Sequence, residues 1–113
     1  MSKKPRLPKI TEDEFMRQVL EYAKLRGWRC YHARPGLMRG GKWVTPIQGS
    51  GSKGFPDSIL LRGNRMIVAE LKVGNNTATP EQEAWIDAFA EVPGVLAFIW
   101  HKEDWPEIET VLA

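Results

Sequence analysis

Cysteine and histidine are scarce: the chain has one cysteine, Cys30, and two histidines, His32 and His101. A lone thiol closes no disulfide within the chain. One cysteine with two histidines builds no clustered Cys/His zinc site. A reducing, cytoplasmic setting is therefore expected. Long apolar runs are missing too. The longest spans Val95 to Trp100, far short of the roughly 20 residues a membrane helix needs, so no membrane partner is expected. Residues 1–9 are basic but lead into no apolar stretch, so they do not read as a signal peptide. No internal repeat is visible. What is present is an ordinary globular composition, 42% hydrophobic and 27% charged over 113 residues. That allows one domain with one core and excludes wholesale disorder.

Net charge is also small, +2, but it is unevenly spread. Residues 1–11 carry +4, residues 12–25 carry −2, residues 26–65 carry +7 and residues 66–113 carry −7. A near-neutral total conceals a basic middle, which suits a polyanion such as nucleic acid. A solvated face of ordinary lysines and arginines explains the same charges.

Thr11 and Glu14 have capping-box spacing, and Phe15, Met16, Val19, Leu20 and Ala23 follow as a helical stripe that Gly27 stops. Trp28 to Arg34 reads as a strand. Residues 35–56 hold six of the ten glycines and read as a long loop, of the kind that is usually functional. A hairpin is expected next: Asp57 to Leu61, a turn at Gly63-Asn64, then Met66 to Val73. Thr79-Pro80-Glu81-Gln82 starts another helix, with Trp85, Ala88 and Phe89 as its apolar face. Pro93-Gly94 breaks it. Val95 to Trp100 reads as a strand covered on both faces. A helix around Pro106 to Leu112 closes the order α-β-β-β-α-β-α, an α/β fold with a mixed central sheet flanked by helices. Residues 1–10 form a basic arm and residues 11–113 the single domain.

The hairpin carries the sharpest inference. A turn at Gly63-Asn64 sets Asp57 opposite Glu70, with Cβ atoms roughly 4.5–5.5 Å apart on one face. Lys72 shares that face, two residues from Glu70. Ile59, Leu61, Met66 and Val68 make the surroundings apolar. Two carboxylates there repel, so one takes up a proton or a cation sits between them. Carboxylate oxygens with retained waters are the donors Mg²⁺ prefers. Neutralisation by Lys72 as an ordinary ion pair is the other reading.

These residues resemble a known family. Gly54-Phe55-Pro56-Asp57 followed by Glu70-Leu71-Lys72 matches the PD-(D/E)xK nuclease signature. The ordered set of Glu14, Gly54 with Pro56-Asp57, Glu70 with Lys72, and Gln82 with Trp85 is similar to the VRR-NUC branch, as is the join at Leu25 to Trp28. The resemblance covers about residues 11–100. It implies a restriction-endonuclease-like core and Mg²⁺- or Mn²⁺-dependent hydrolysis of DNA phosphodiesters, without a covalent enzyme intermediate. It further implies that Asp57, Glu70 and the Leu71 carbonyl hold the metal. Lys72 is the implied catalytic lysine. Glu14 is the implied first-helix acid supporting the metal, although capping explains it equally. Gln82 is an implied site residue, with capping again the alternative.

Arg34, Arg39, Lys42 and Lys53 are candidate DNA-backbone contacts, and Gly54 a point of close backbone approach to a phosphate. His32 reads as a surface or core residue, and Trp43 as a base-stacking residue or a loop anchor. Stand-alone members of the family resemble Holliday-junction resolvases acting as symmetric homodimers, which makes branched DNA the expected substrate and a bacterial or phage-infected cell the expected setting. A site-specific or nicking endonuclease, a non-catalytic DNA-binding module of the same fold, and a partner-binding protein working through its acidic half are the alternatives.

Overall fold

A computed structural model gives the fold and describes residues 9–33, 36–37, 43–44 and 53–113. Helix α1 runs Glu12–Leu25. Its start follows from Thr11 and Glu14: the Glu14 N–H donates to Thr11 Oγ1 at 3.1 Å, and the Thr11 N–H donates to the Glu14 carboxylate at 3.3 Å. This satisfies two donors that the helix start would otherwise leave open. Phe15, Val19, Leu20 and Ala23 are its buried face. Ile10 already packs against the core, so the folded body begins before residue 11. Residues 1–8 of the basic arm lie outside the described residues.

Strand β1 covers Arg29–His32, shorter than the expected 28–34. Gly36–Leu37 (β2) and Trp43–Val44 (β3) pair antiparallel. The segment read as loop thus contains a small ladder, and the expected order gains two short strands. Then come β4 (Ser58–Arg62), β5 (Arg65–Lys72), α2 (Pro80–Ala90), β6 (Val95–His101), a 3-10 turn at Lys102–Asp104, and α3 (Trp105–Leu112). The main sheet has the order β1-β4-β5-β6. β1, β4 and β5 are antiparallel neighbours, and β6 lies parallel to β5. The architecture is mixed α/β, a four-stranded mixed sheet flanked by helices.

The hairpin register is the expected one: Arg62 faces Arg65, Leu61 faces Met66 and Ser58 faces Ala69. Alternation then gives the sheet two faces. Leu60, Ile67, Ala69, Leu71 and Trp100 join α1 and α3 in the main core. α2 lies over β5 and β6 on the other face, where Val68 and Ile86 are buried. The expected apolar face of α2 is rotated. Ile86 points inward, Trp85 and Phe89 are half-buried, and Ala88 is exposed. Apolar residues around much of this helix left its inward direction open. β6 is not covered on both faces either. It is the last strand in the sheet, and Leu96 is 42% exposed. Among the described residues no helix is long and apolar enough to cross a membrane.

Candidate active site

The open end of the β4–β5 hairpin gathers the chemistry. Asp57 stands just before β4 and leaves the ladder. Its N–H donates to a Glu70 carboxylate oxygen at 3.1 Å, and its own Oδ2 accepts from the Leu71 N–H at 3.0 Å. Each carboxylate is therefore fixed by the backbone of the opposite strand. The Asp57 carbonyl accepts from the Ala33 N–H at 2.8 Å, which ties this point to the end of β1.

Glu70 is 1% exposed. Its Oε1 accepts from Gln82 Nε2 at 2.7 Å and lies 3.3 Å from Lys72 Nζ. Burial, then repulsion from Asp57, pushes Glu70 up from 4.5 to about 7, with Lys72 opposing. Burial also raises Asp57, against the Leu71 N–H and the Lys72 charge. The sheet thus holds two acids together where neither ionises at its ordinary pH, and one lysine offsets only part of the charge.

Gln82 does both things open to it. Its Oε1 accepts from the Thr79 N–H at 2.9 Å as a helix cap, while Nε2 reaches Glu70. The Glu14 carboxylate closes the start of α1 on Thr11. In the same turn, Glu12 feels the site. Partial burial and then the Asp57 charge raise it, while Lys72 lowers it. Glu12 and Glu14 are two residues apart, about 200° around a helix, so only one faces a given point. His32 contributes the smallest of the influences on Asp57. Its charge acts favourably on Asp57 from the end of β1. Its sequence signal, a polar residue ending a strand, is too common to single it out.

Gly54 has a packing role of its own. Its φ is +83°, and a Cβ there would stand 2.7–2.8 Å from the backbone of Glu81 and Gln82. The close approach is to the start of α2. Phe55 meets Trp85 and Phe89 at ring separations of 5.0 and 5.9 Å, and Trp85 Nε1 donates to the Lys53 carbonyl at 3.1 Å. Residues 53–56 and α2 therefore lock together, and the lock sets Asp57 and Gln82 at once. The Lys53 ammonium lies 3.6 Å from Glu81 in an exposed pair. Arg34, Arg39 and Lys42 lie outside the described residues, as does the side chain of Trp43. The Leu71 N–H, for its part, holds the Asp57 carboxylate.

Among the described residues no three His, Cys, Asp or Glu side chains form a metal-holding group. The donor set is two carboxylates side by side. That still suits a hard cation such as Mg²⁺, which keeps several waters and takes one or two carboxylates plus substrate phosphate oxygens. No family model, curated protein or solved structure matches the chain.

Proposed function

We propose that the chain is a metal-dependent endonuclease of the PD-(D/E)xK type that hydrolyses DNA phosphodiester bonds, with branched DNA as its preferred substrate. One observation carries the reading. Asp57 and Glu70 stand together with raised affinity for protons, with Lys72 3.3 Å from Glu70. Clustered groups with shifted proton affinity beside a cation are the arrangement catalysis uses.

In this reading Asp57 and Glu70 hold Mg²⁺ or Mn²⁺. The cation would supply positive charge to the cleaved phosphate and make a water acidic enough to attack. Gln82 fixes the Glu70 carboxylate from α2, and the Leu71 N–H fixes that of Asp57. Lys72 is then placed to meet negative charge growing on the phosphate. Paired copies with two-fold symmetry would match the two-fold symmetry of a four-way junction.

The test incubates the protein with labelled four-way junction, splayed arm, nicked duplex and linear duplex, in EDTA, Mg²⁺ or Mn²⁺. Cutting that needs metal, prefers a branched substrate and is lost in Lys72→Ala and Asp57→Asn is expected. DNA binding without cutting in either metal would overturn the reading.

A further inference from the structure

The site has two flanks, and they differ in charge and in cover. On the α2 side, Glu83, Asp87 and Glu91 are all exposed and acidic, which repels a polyanion. On the other side, the same face of β1, β4 and the start of β5 carries Arg29, Tyr31, Ile59, Leu61 and Met66, while Val68 lies buried under α2. None is acidic. Tyr31 is 61% exposed and Leu61 44% exposed, and Arg29 is exposed.

Register fixes their order. Tyr31 faces Ile59, two residues along β4 from Asp57, and Arg29 faces Leu61, two further. Each step is about 7 Å along the strand, comparable to one nucleotide of an extended strand. Moving away from Asp57, the surface offers an aromatic ring on an apolar floor and then a cation. A nucleotide presents the complementary groups, a π face and an anionic phosphate.

We propose that this half-sheet is a nucleotide subsite, with Tyr31 stacking an unpaired base beside the cleaved phosphate and Arg29 meeting the next phosphate. The proposal rests on the nuclease reading and specifies its substrate. An exposed ring on a sheet stacks a base that is out of its duplex, since a paired base is already stacked on its neighbours. Branch points supply such bases.

The experiment places 2-aminopurine at each nucleotide flanking the branch and measures its fluorescence on binding, with Ca²⁺ in place of Mg²⁺. Wild type and Tyr31→Phe are expected to quench the probe at one flanking position, and Tyr31→Ala is not. Tyr31→Ala should bind branched DNA about tenfold more weakly, with duplex affinity within about twofold of wild type. Arg29→Ala should reduce the salt slope of binding by about one. Because Tyr31 is exposed, matched thermal midpoints will show that Tyr31→Ala is folded. If Tyr31→Ala quenches like wild type, or loses duplex and branched affinity alike, the subsite is wrong while cutting stands. If the wild type binds no DNA, the subsite and the nuclease reading fall together.

Discussion

At the turn end of the β4–β5 hairpin two arginines, Arg62 and Arg65, face each other; at the open end, two carboxylates, Asp57 and Glu70, meet. Like charges opposed across strands are unfavourable at either end, but the surroundings treat them differently. Arg62 donates to the Arg26 carbonyl at 3.0 Å and to those of Leu112 and Ala113 at 3.3 and 3.0 Å. Arg65 donates to the Val111 carbonyl at 3.4 Å. Both guanidinium carbons sit by the Trp28 ring, 4.5 and 5.3 Å from its centroid. The arginines thus complete the C-terminal end of α3, where open carbonyls favour cations. The carboxylates receive a few N–H donors and one lysine, and both hold protons more tightly than usual. A charge pair resolved by fixed partners stabilises the fold. A pair left partly unresolved has charge available for a ligand.

Asp57→Asn and Lys72→Ala should lower cutting at least about 1000-fold, near 4 kcal/mol of barrier. Arg62→Ala should instead cost about 2 kcal/mol of stability and leave cutting per folded molecule unchanged. Urea unfolding combined with turnover measurements separates the two. Comparable losses of activity at both ends would remove the distinction.

Gly54→Ala tests the support behind the acidic end. The new methyl meets main chain, and φ is left-handed, so a loss of about 3 kcal/mol is expected. Gly63→Ala, where nothing lies within 4 Å of a Cβ and only the positive φ resists, should cost less, about 1 kcal/mol.

The acidic end should also give the molecule a pH signature. Glu70 is raised from 4.5 to about 7 and Asp57 is raised with it. Between about pH 4.5 and 7 the folded chain keeps protons that the unfolded chain has released, so stability falls as pH rises through that window. The drop should be about 3 kcal/mol from Glu70, and Glu70→Gln should flatten it. At pH 8, Mg²⁺ at ten times its dissociation constant should restore about 1.4 kcal/mol to the wild type and less to Glu70→Gln. Thermal midpoints across pH and Mg²⁺ concentration check both.

The smallest contrast lies within one helical turn. Glu14→Ala removes a cap and should cost about 1 kcal/mol without altering cutting. Glu12→Gln should leave stability within about 0.5 kcal/mol but shift the pH profile of cutting, because its charge acts on Asp57 and Lys72.

The hairpin register was legible because its signals are local. Gly63-Asn64 defines the turn, and a period of two then decides which residues share a face. The same holds for the two helix starts, where Thr11 with Glu14 and Thr79 with Gln82 sit three residues apart. The Asp57, Glu70 and Lys72 cluster followed from that register alone. The direction in which α2 faces did not follow, since Ile86, Trp85 and Phe89 are all apolar and only the sheet beneath selects among them. Nor did the edge position of β6, because an apolar run is the same run at the middle of a sheet or at its border.

Contacts between near neighbours in the chain set where helices start, where the hairpin turns, and that two acids and a lysine share one face of it. The neighbours that complete that face come from distant parts of the chain. Gln82 reaches Glu70 because Gly54 lets the start of α2 come close, and Glu12 feels Asp57 because α1 crosses the sheet at one particular rotation. Short-range hydrogen bonds and strand alternation depend on residues a few positions apart. The approach of α2 and the rotation of α1 depend on how the whole core packs, which no local pattern encodes.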